Sequence, residues 1–183
     1  GPGRFPPPVN PGCGTTFYSW AEVLPWLRDD AGLDLPPEEP TLAAANLALG
    51  LPATQSSTAF GGVAARAVDG NTDGAFALGS VTHTNADNPS WWEVDLGAIR
   101  QIERVEIWDR TDACCSERLA SFYILVSNTA NPVPGDAGIF AVFEVASPNP
   151  VTSIPVAASG RYVRVYKASG ALSLAEVQVW GAG

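Results

Sequence analysis

The segment Ser90-Trp91-Trp92-Glu93-Val94-Asp95-Leu96 decides the class of fold. Within it, Trp92, Val94 and Leu96 occupy alternate positions, and the positions between them hold Trp91 and two carboxylates. A period of two is that of a β-strand, because successive side chains of a strand point to opposite faces of the sheet. The segment therefore predicts a strand with one face in an apolar core.

The same alternation recurs along the rest of the chain. It is found at residues 104–108, 161–166 and 176–180, while residues 122–126 and 140–145 are more densely apolar and predict buried strands. Clusters of Gly, Pro, Asn and Asp separate these segments, and the one short helical pattern covers residues 63–68. Many short strands with turn-rich spacers are typical of sandwiches and barrels. We predict an all-β sandwich.

The first 40 residues have a different composition. They hold nine of the 16 prolines, which favour extended geometry and interrupt strands and helices. Ser19-Trp20-Ala21-Glu22 has the form of a helix capping box, and Pro25 would kink the helix that it begins. We predict a proline-rich extension with a short helix over residues 1–40 and the sandwich over residues 41–183. The extension is either a linker packed on its neighbouring domain or a docking arm for another subunit.

Composition excludes several classes of function. The net charge is −9, with nine arginines and one lysine in no basic cluster, so nucleic acid is excluded as a partner. No apolar run is long enough to span a membrane, and we expect a soluble protein. The three cysteines have no metal-thiolate spacing, which excludes structural zinc. Without an initiator Met or a signal peptide, the chain is expected to be a mature product or an excised fragment.

The loop Asp69-Gly70-Asn71-Thr72-Asp73-Gly74 places oxygen-bearing side chains at alternate positions before a glycine, as in loops that wrap a hard cation. It is not an EF-hand, because the twelfth position is Ser80 instead of Glu and no helices flank it. It is either an ordinary turn or a calcium loop that needs a carboxylate from a distant part of the chain.

A second group of residues carries recognition chemistry. His83, the only histidine, is followed by Arg110, Asp112 and Arg118. Arginine offers planar donors that fit neighbouring hydroxyls, Asp112 can hold one arginine in place, and nearby positive charge favours a neutral imidazole. His83 can equally be a hydrogen-bonded loop or core residue. The sequence contains no activated nucleophile pair, metal-hydroxide site or nucleotide loop, so we expect a binding protein and not an enzyme.

The adjacent residues Cys114 and Cys115 form the third feature. Neighbouring cysteines can bond only by straining the peptide between them, and such strained bonds tend to lie at functional sites. The alternative is a pair of reduced cysteines, one of them buried.

Together, residues 43–181 resemble the F-type lectin (fucolectin) family. The shared motifs are Asn46-Leu47-Ala48-Leu49-Gly50, Ala53-Thr54-Gln55-Ser56-Ser57, Ala67-Val68-Asp69-Gly70-Asn71, Thr82-His83-Thr84, Trp91-Trp92-Glu93-Val94-Asp95-Leu96-Gly97 and Leu172-Ser173-Leu174-Ala175-Glu176-Val177. The opening segments also occur in the broader discoidin-like sandwiches. The specific part is His83, then Arg110-Thr111-Asp112 beginning 27 residues on, then two cysteines and a second arginine.

The resemblance implies a jelly-roll-like β-sandwich with a sugar site in loops at one end. His83, Arg110 and Arg118 would hydrogen-bond the ring oxygen and the 3- and 4-hydroxyls of α-L-fucose. A disulfide between Cys114 and Cys115 would pack against an apolar edge of the sugar, with Phe76 near its 6-methyl group. The expected partners are fucosylated glycans and glycoproteins met by a secreted protein, and avidity would come from oligomers or fusion to other domains.

The resemblance also implies a structural Ca²⁺ beneath the sugar site. Its ligands would be the side chains of Asp69 and Glu176 together with oxygens of Arg66, Asn71, Ser80 and Ala175. Glu176 thereby supplies the distant carboxylate that the loop lacks.

Two departures from the family pattern stand out. Ala113 adds one residue before the cysteine pair, which leaves open whether Arg118 reaches the site. Val81 and Ala175 stand where some members have a disulfide. The alternative to a lectin is a discoidin-like structural or adhesive module whose sugar site is inactive.

Overall fold

The computed structural model describes residues 43–112 and 115–183, and the description below refers to these ranges. Their strands are β1 Ala44–Asn46, β2 Ala53–Gln55, β3 Ser90–Trp108, β4 Phe122–Ser127, β5 Phe140–Glu144, β6 Val151–Lys167 and β7 Glu176–Ala182. Three short 3₁₀ helices cover Ala64–Val68, Phe76–Leu78 and Ser116–Leu119. The described part of the chain contains no α-helix, which confirms the all-β prediction.

The two long strands, β3 and β6, form one antiparallel ribbon that belongs to two sheets. Its pairing runs from Ser90 and Lys167 at one end to Trp108 and Val151 at the other, with register shifts between Asp95 and Arg104. The first half of β3 also pairs with β2, and the second half pairs with β7. The ribbon therefore joins the sheet β2–β3–β6–β4–β5 to the sheet β6–β3–β7–β1.

One core lies between the two sheets. Trp92 and Val94 from the first half of β3, and Val105 and Ile107 from the second half, are buried together in it. Burying side chains of this size contributes roughly 1.5–3 kcal/mol each. The Trp92 indole also donates a 2.9 Å hydrogen bond to the carbonyl of Ala64, which holds the first 3₁₀ helix against the core. The period-two pattern of the sequence thus places the core residues as predicted.

The structure corrects three details of the predicted strands. The segments at 90–96 and 104–108 are halves of one strand and not separate strands. The three-residue strands β1 and β2 were not predicted. The prediction that residues 140–145 form a buried strand was wrong: β5 is an edge strand, and Phe143 and Val145 are 47% and 69% exposed. An edge strand has a partner on one side only, so alternate side chains can face outward.

Residues 1–40 lie outside the described residues, so the proline-rich extension, its helix and the domain boundary stay predictions. Among the residues that are described, no helix has the length and apolar character needed to cross a membrane.

The folded ribbon brings its two ends to the same end of the sandwich. The segment at residues 170–175 connects them, because Ser90 donates its hydroxyl to the carbonyl of Gly170 and the amide of Ala175 donates to the carbonyl of Trp108. The loops that precede Ser90 and follow Trp108 therefore meet there, although they are far apart in sequence. These loops carry the polar residues singled out above.

Candidate functional site

His83 lies in an extended segment that is fixed on both sides by backbone hydrogen bonds. The amides of Thr82 and Thr84 donate to Leu174 and Leu172 at 2.8 and 3.0 Å. The His83 side chain is only 5% exposed, and its Nδ1 lies 2.7 Å from the carbonyl oxygen of Thr84. A carbonyl can only accept, so Nδ1 carries the proton and Nε2 is the acceptor.

Arg118 completes this arrangement by placing Nη1 2.5 Å from His83 Nε2. Arg118 therefore reaches His83 despite the extra residue Ala113. We call the group formed by His83, Arg118 and the residues packed around them the His83 cluster. Burial is the largest cause that lowers the pKa of His83; the hydrogen bond to Thr84 raises it, and the charges of Arg118 and then Arg110 lower it further. The imidazole is neutral at physiological pH for these reasons.

Arg110 and Asp112 form a bidentate ion pair beside the histidine. Arg110 donates through Nε to one carboxylate oxygen and through Nη2 to the other, the latter at 2.9 Å. The hydrogen bond from Arg110 is the main reason that the pKa of Asp112 lies below its usual value. The expectation that Asp112 holds one of the arginines is confirmed. Two of the guanidinium nitrogens are thereby occupied, which leaves Nη1 for a ligand.

Phe76 packs against both polar groups. The Arg110 guanidinium lies 4.7 Å from the centre of the Phe76 ring, and the ring meets His83 edge-on at 5.7 Å. The Phe76 amide donates to Asp112 at 3.2 Å. Phe76 is therefore part of the cluster and supplies an apolar surface next to charged donors, and its contact with a sugar methyl group stays a prediction.

Phe60 is the site residue that the sequence analysis missed. It is 83% exposed, and its ring lies edge-on to His83 at 5.2 Å. Its backbone has φ of +51°, which non-glycine residues rarely adopt. Hydrogen bonds from Ala59 to His83 and from His83 to Gly62 hold the turn that presents it. The available signal was an aromatic residue directly before Gly61 and Gly62.

Two glycines permit the close backbone approaches that assemble the cluster. A Cβ on Gly62 would lie 2.5 Å from the His83 amide nitrogen, and a Cβ on Gly74 would lie 2.5 Å from Thr111 Oγ1. The Thr111 amide donates to the Gly74 carbonyl at 2.9 Å. Gly62 thus positions the histidine, and Gly74 positions the segment between Arg110 and Asp112.

Cys115 forms a disulfide, and its backbone has φ of +77°, in the left-handed region. The Arg118 amide donates to its carbonyl at 3.0 Å, so the short helix that carries Arg118 follows directly from this cysteine. Cys114 and Ala113 lie outside the described residues. A Cys114–Cys115 bond therefore stays a prediction.

The cluster combines cationic planar donors, a neutral imidazole and two aromatic rings. Such a set suits a ligand with hydroxyl groups on one side and an apolar edge on the other.

A second group of polar residues lies around Glu176. This side chain is fully buried; Oε1 accepts a 3.1 Å hydrogen bond from the Gly70 amide, and Oε2 has no hydrogen-bond partner. Burial is the largest cause that raises the pKa of Glu176 to about 7, and the neighbouring charge of Asp69 adds to it. The structure therefore brings together the two carboxylates that the sequence analysis selected as calcium ligands.

The oxygens of the other predicted calcium ligands take part in different interactions within the protein. In the loop, Asp69 and Asn71 accept hydrogen bonds from the amides two residues on, and the Ser80 hydroxyl donates to the carbonyl of Ala75. The Arg66 side chain donates to the carbonyl of Val81 at 3.0 Å, and Ala175 is buried next to Glu176. Within the described ranges no three His, Cys, Asp or Glu residues are grouped for a metal. A cation here would need neutral oxygens to complete its shell, and the unpartnered oxygen of Glu176 fits such a role.

Several known proteins are similar in sequence to this chain over about three quarters of its length. It is 38% identical over 149 residues to Fucolectin-4 of Anguilla japonica, which covers 73% of the chain and 78% of that protein. The Fucolectin of Anguilla anguilla is 37% identical over 146 residues, covering 73% and 89%. Residues 66–165 match the family described as NedA-like, galactose-binding domain.

The chain belongs to the fucolectin family.

Solved structures of fucolectin relatives have the same fold. The lectin domain of lectinolysin complexed with Lewis B antigen is 37% identical with a TM-score of 0.68, and the match covers 76% of this chain and 98% of that chain. A fucose binding module of Streptococcus pneumoniae is 39% identical with a TM-score of 0.66, covering 74% and 94%. The f-lectin from Morone saxatilis serum is 33% identical with a TM-score of 0.63, covering 75% and 49%. The jelly-roll-like β-sandwich predicted from the sequence is confirmed.

Proposed function

We propose that this chain is a carbohydrate-binding lectin domain that recognises terminal α-L-fucose through His83, Arg110 and Arg118. Membership of the fucolectin family supports the class of ligand, since relatives include fucose binding modules. The observation that carries the proposal is the contact of Arg118 with His83 beside the Arg110–Asp112 pair. These residues are distant in sequence and converge at one end of the sandwich.

Each polar group would have a distinct role toward the sugar. Arg110, held by Asp112, would donate from a fixed plane to neighbouring hydroxyls, and fixing the donor in advance lowers the entropy cost of binding. Arg118 would move its hydrogen bond from His83 Nε2 to a sugar oxygen. The neutral imidazole would then be available to a hydroxyl, including the axial 4-hydroxyl that distinguishes fucose.

The apolar side of the sugar would meet rings and sulfur. Phe76 would line the 6-methyl group, and Phe60 would extend the apolar rim, because both rings lie edge-on to His83. A Cys114–Cys115 disulfide would offer a rigid, polarisable surface to the pyranose edge. The disulfide state and left-handed backbone of Cys115 support this role.

Calcium is the proposed structural ion of the domain. The side chains of Asp69 and Glu176 would hold it, with oxygens of Arg66, Asn71, Ser80 and Ala175. When bound, it would neutralise both carboxylates, including the buried Glu176, whose pKa is raised to about 7 mainly by burial. Its support is the buried, unpartnered Oε2 of Glu176.

The wider biological role follows from this ligand. We infer that the domain binds fucosylated glycans and glycoproteins and carries out no catalysis. A secreted location is proposed, as one structural relative comes from serum. Individual sugar sites are weak, so oligomers or further domains would supply avidity.

Titration calorimetry with L-fucose on folded His83→Ala and Arg110→Ala variants tests the proposal. Arg110→Ala removes hydrogen bonds from a charged group, so we expect a loss of roughly 1.5–3 kcal/mol of binding free energy. His83→Ala removes a hydrogen bond between neutral groups, so we expect a loss of roughly 0.5–1.5 kcal/mol. Arg104→Ala is the matched control, because Arg104 also pairs with a carboxylate, Glu106, and lies 4.7 Å over an aromatic ring, Trp180. Unchanged affinity in His83→Ala would refute the site as drawn. Absence of fucose binding in the unmodified protein would favour a structural or adhesive module.

A further inference from the structure

A cavity of about 460 Å³ lies on the outer face of the five-stranded sheet, apart from the His83 cluster. Its walls are formed by Trp91, Glu93 and Asp95 of β3, Tyr162 of β6, Thr54 of β2 and the loop at Asn131. These β3 residues occupy the positions between the core residues, so they face away from the core. The volume lies within the range of small-molecule pockets, roughly 300–1,000 Å³.

Both carboxylates in the cavity wall are neutralised by arginines. Glu93 accepts from Arg164 at 2.9 Å and from the Asn131 amide at 3.0 Å. Asp95 accepts two hydrogen bonds from Arg161 at 2.7 and 2.8 Å. Two negative and two positive charges balance, so the wall carries no net charge to attract an ion.

The aromatic rings of the cavity already face these arginines. The guanidinium of Arg164 lies 4.2 Å from the centre of the Trp91 ring, and that of Arg161 lies 5.2 Å from the Tyr162 ring. A cationic ligand would therefore be repelled where an aromatic cage would otherwise hold it. An anionic ligand would find both arginines already paired with Glu93 and Asp95. A neutral ligand with both apolar C–H surfaces and hydroxyl groups fits this wall.

A row of aromatic residues continues from the cavity across the sheet. Trp91, Tyr166, Tyr123 and Phe143 are directly opposite one another in β3, β6, β4 and β5. The Tyr123 ring lies 4.7 Å from Phe143 and 6.4 Å from Tyr166. Neighbouring strands are about 4.8 Å apart, so the row is roughly 14 Å long. It is long enough to contact more than one sugar unit.

We propose that this cavity and its aromatic row form a second carbohydrate site, independent of the His83 cluster, that takes a neutral linear oligosaccharide. One sugar ring occupies the cavity, with its hydroxyls on the partly exposed Asp95–Arg161 pair and its C–H surface on Trp91 and Tyr162. The following units lie along the aromatic row.

The test is ¹H–¹⁵N NMR of the full chain carrying His83→Ala, which disables the His83 cluster. Cellotetraose and maltotetraose are the neutral probes, a chitosan tetramer is the cationic probe and tetragalacturonate is the anionic probe. We expect at least one neutral tetramer to shift the Trp91 indole signal saturably, and the charged tetramers to bind at least about tenfold more weakly.

Two substitutions define the location. Thr54→Trp fills the cavity from an edge strand, and Ser153→Trp is its matched control, an exposed hydroxyl residue of the other sheet. We expect Thr54→Trp to abolish the response and Ser153→Trp to retain it. Phe143→Ala removes the exposed end of the row and should weaken tetramer binding without affecting the response to methyl β-D-glucopyranoside.

Three outcomes would overturn the proposal: no Trp91 response to either neutral tetramer, a stronger response to a charged tetramer, or full binding in Thr54→Trp with an unchanged melting curve. Because the His83 cluster is disabled throughout, none of them bears on the proposed fucose site.

Discussion

His83 is held in one tautomer and one charge state by its neighbours. Nδ1 donates to the Thr84 carbonyl and Nε2 accepts from Arg118, so protonation of Nε2 would place a cation against a cation. Burial and the two arginines therefore keep the pKa of the folded-state imidazole below 6.5, its ordinary value. In the proposed site, the histidine can accept a hydrogen bond at Nε2 only while it is neutral.

This gives a prediction for pH dependence. Because the pKa of His83 is lower in the folded state, the unfolded chain binds the proton first as pH falls. The contribution to stability is present above about pH 6.5 and is lost progressively below it. Fucose affinity should fall over the same window. Melting curves and calorimetry from about pH 5 to pH 7.5 measure both effects, with His83→Gln as the variant that lacks the titration. The same pH dependence in His83→Gln would contradict this explanation.

The cysteine pair leads to a second prediction at this scale. A disulfide between adjacent residues closes a very small ring, so it constrains the unfolded chain little. We expect Cys114→Ser/Cys115→Ser to retain most of the melting temperature but to lose much of the fucose affinity, because the sulfur surface is gone. Intact mass before and after mild reduction establishes whether a disulfide is present, and the same measurement on Cys13→Ser establishes whether it joins these two residues. Two free thiols with normal fucose binding would show this interpretation to be wrong.

The sequence predicts the polar part of the cluster better than its apolar part. His83, Arg110 and Asp112 are recognisable because their residue types and spacing carry the chemistry. Phe60 is not, because an exposed aromatic residue in a glycine-rich turn has no periodic pattern, and its position depends on the hydrogen bonds of Ala59 and Gly62 to a segment distant in sequence.

At the scale of elements, the alternation of apolar residues predicts which side chains are in the core. It does not predict where a strand ends or whether it lies at an edge, because these depend on the strands with which it pairs. Residues 90–96 and 104–108 are two patterns, yet backbone pairing to β6 continues through the irregular region between them. Similarly, the apolar residues of β5 cannot reveal that the strand is at an edge. Strands of three residues, such as β1 and β2, are too short to show a period.

The position of the loop that carries Arg110 depends on the close contact between Thr111 and Gly74, the last residue of the loop at residues 69–74. Gly74→Ala would place a methyl group 2.5 Å from Thr111 Oγ1 and 2.6 Å from the Thr111 amide nitrogen, so this backbone must move. We predict a loss of fucose affinity, because Arg110 and Asp112 flank Thr111. Gly135→Ala is the control, since nothing lies within 4 Å of the Cβ position there; its φ of +99° adds a conformational cost that Gly74→Ala does not have. Calorimetry compares the two. Equal fucose affinities would contradict the role assigned to Gly74.

At the scale of the whole molecule, the β3–β6 ribbon must bend so that its two ends meet before the residues around His83 and those around Glu176 come together. His83 precedes the ribbon, Arg110 follows the end of β3, and Glu176 belongs to the last strand. Asp69 and Glu176 meet only in the folded domain, so an ion bound between them stabilises the complete sandwich and not a local loop.

Calcium removal should therefore lower the melting temperature of the unmodified protein. Binding at 100 times the dissociation constant contributes about 2.7 kcal/mol, which corresponds to several degrees for a domain of this size. Glu176→Gln removes the charge and keeps the shape, so its melting curve should not respond to chelator. Glu106→Gln, a carboxylate of β3 that pairs with Arg104, should behave like the unmodified protein. A melting curve that is insensitive to excess chelator in the unmodified protein would contradict the calcium site.

The pairing of β1 with β7 determines how the domain carries mechanical load. Ala44 is opposite Ala182, whereas Glu176, at the other end of β7, is next to the end that holds the His83 cluster. The described chain therefore begins and finishes beside the turn of the ribbon, away from that cluster. Tension between a captured glycan and either terminus runs along the strands, so the hydrogen bonds between β1 and β7 are sheared together and do not open one after another. The end that holds the proposed binding site therefore lies opposite both ends of the described chain.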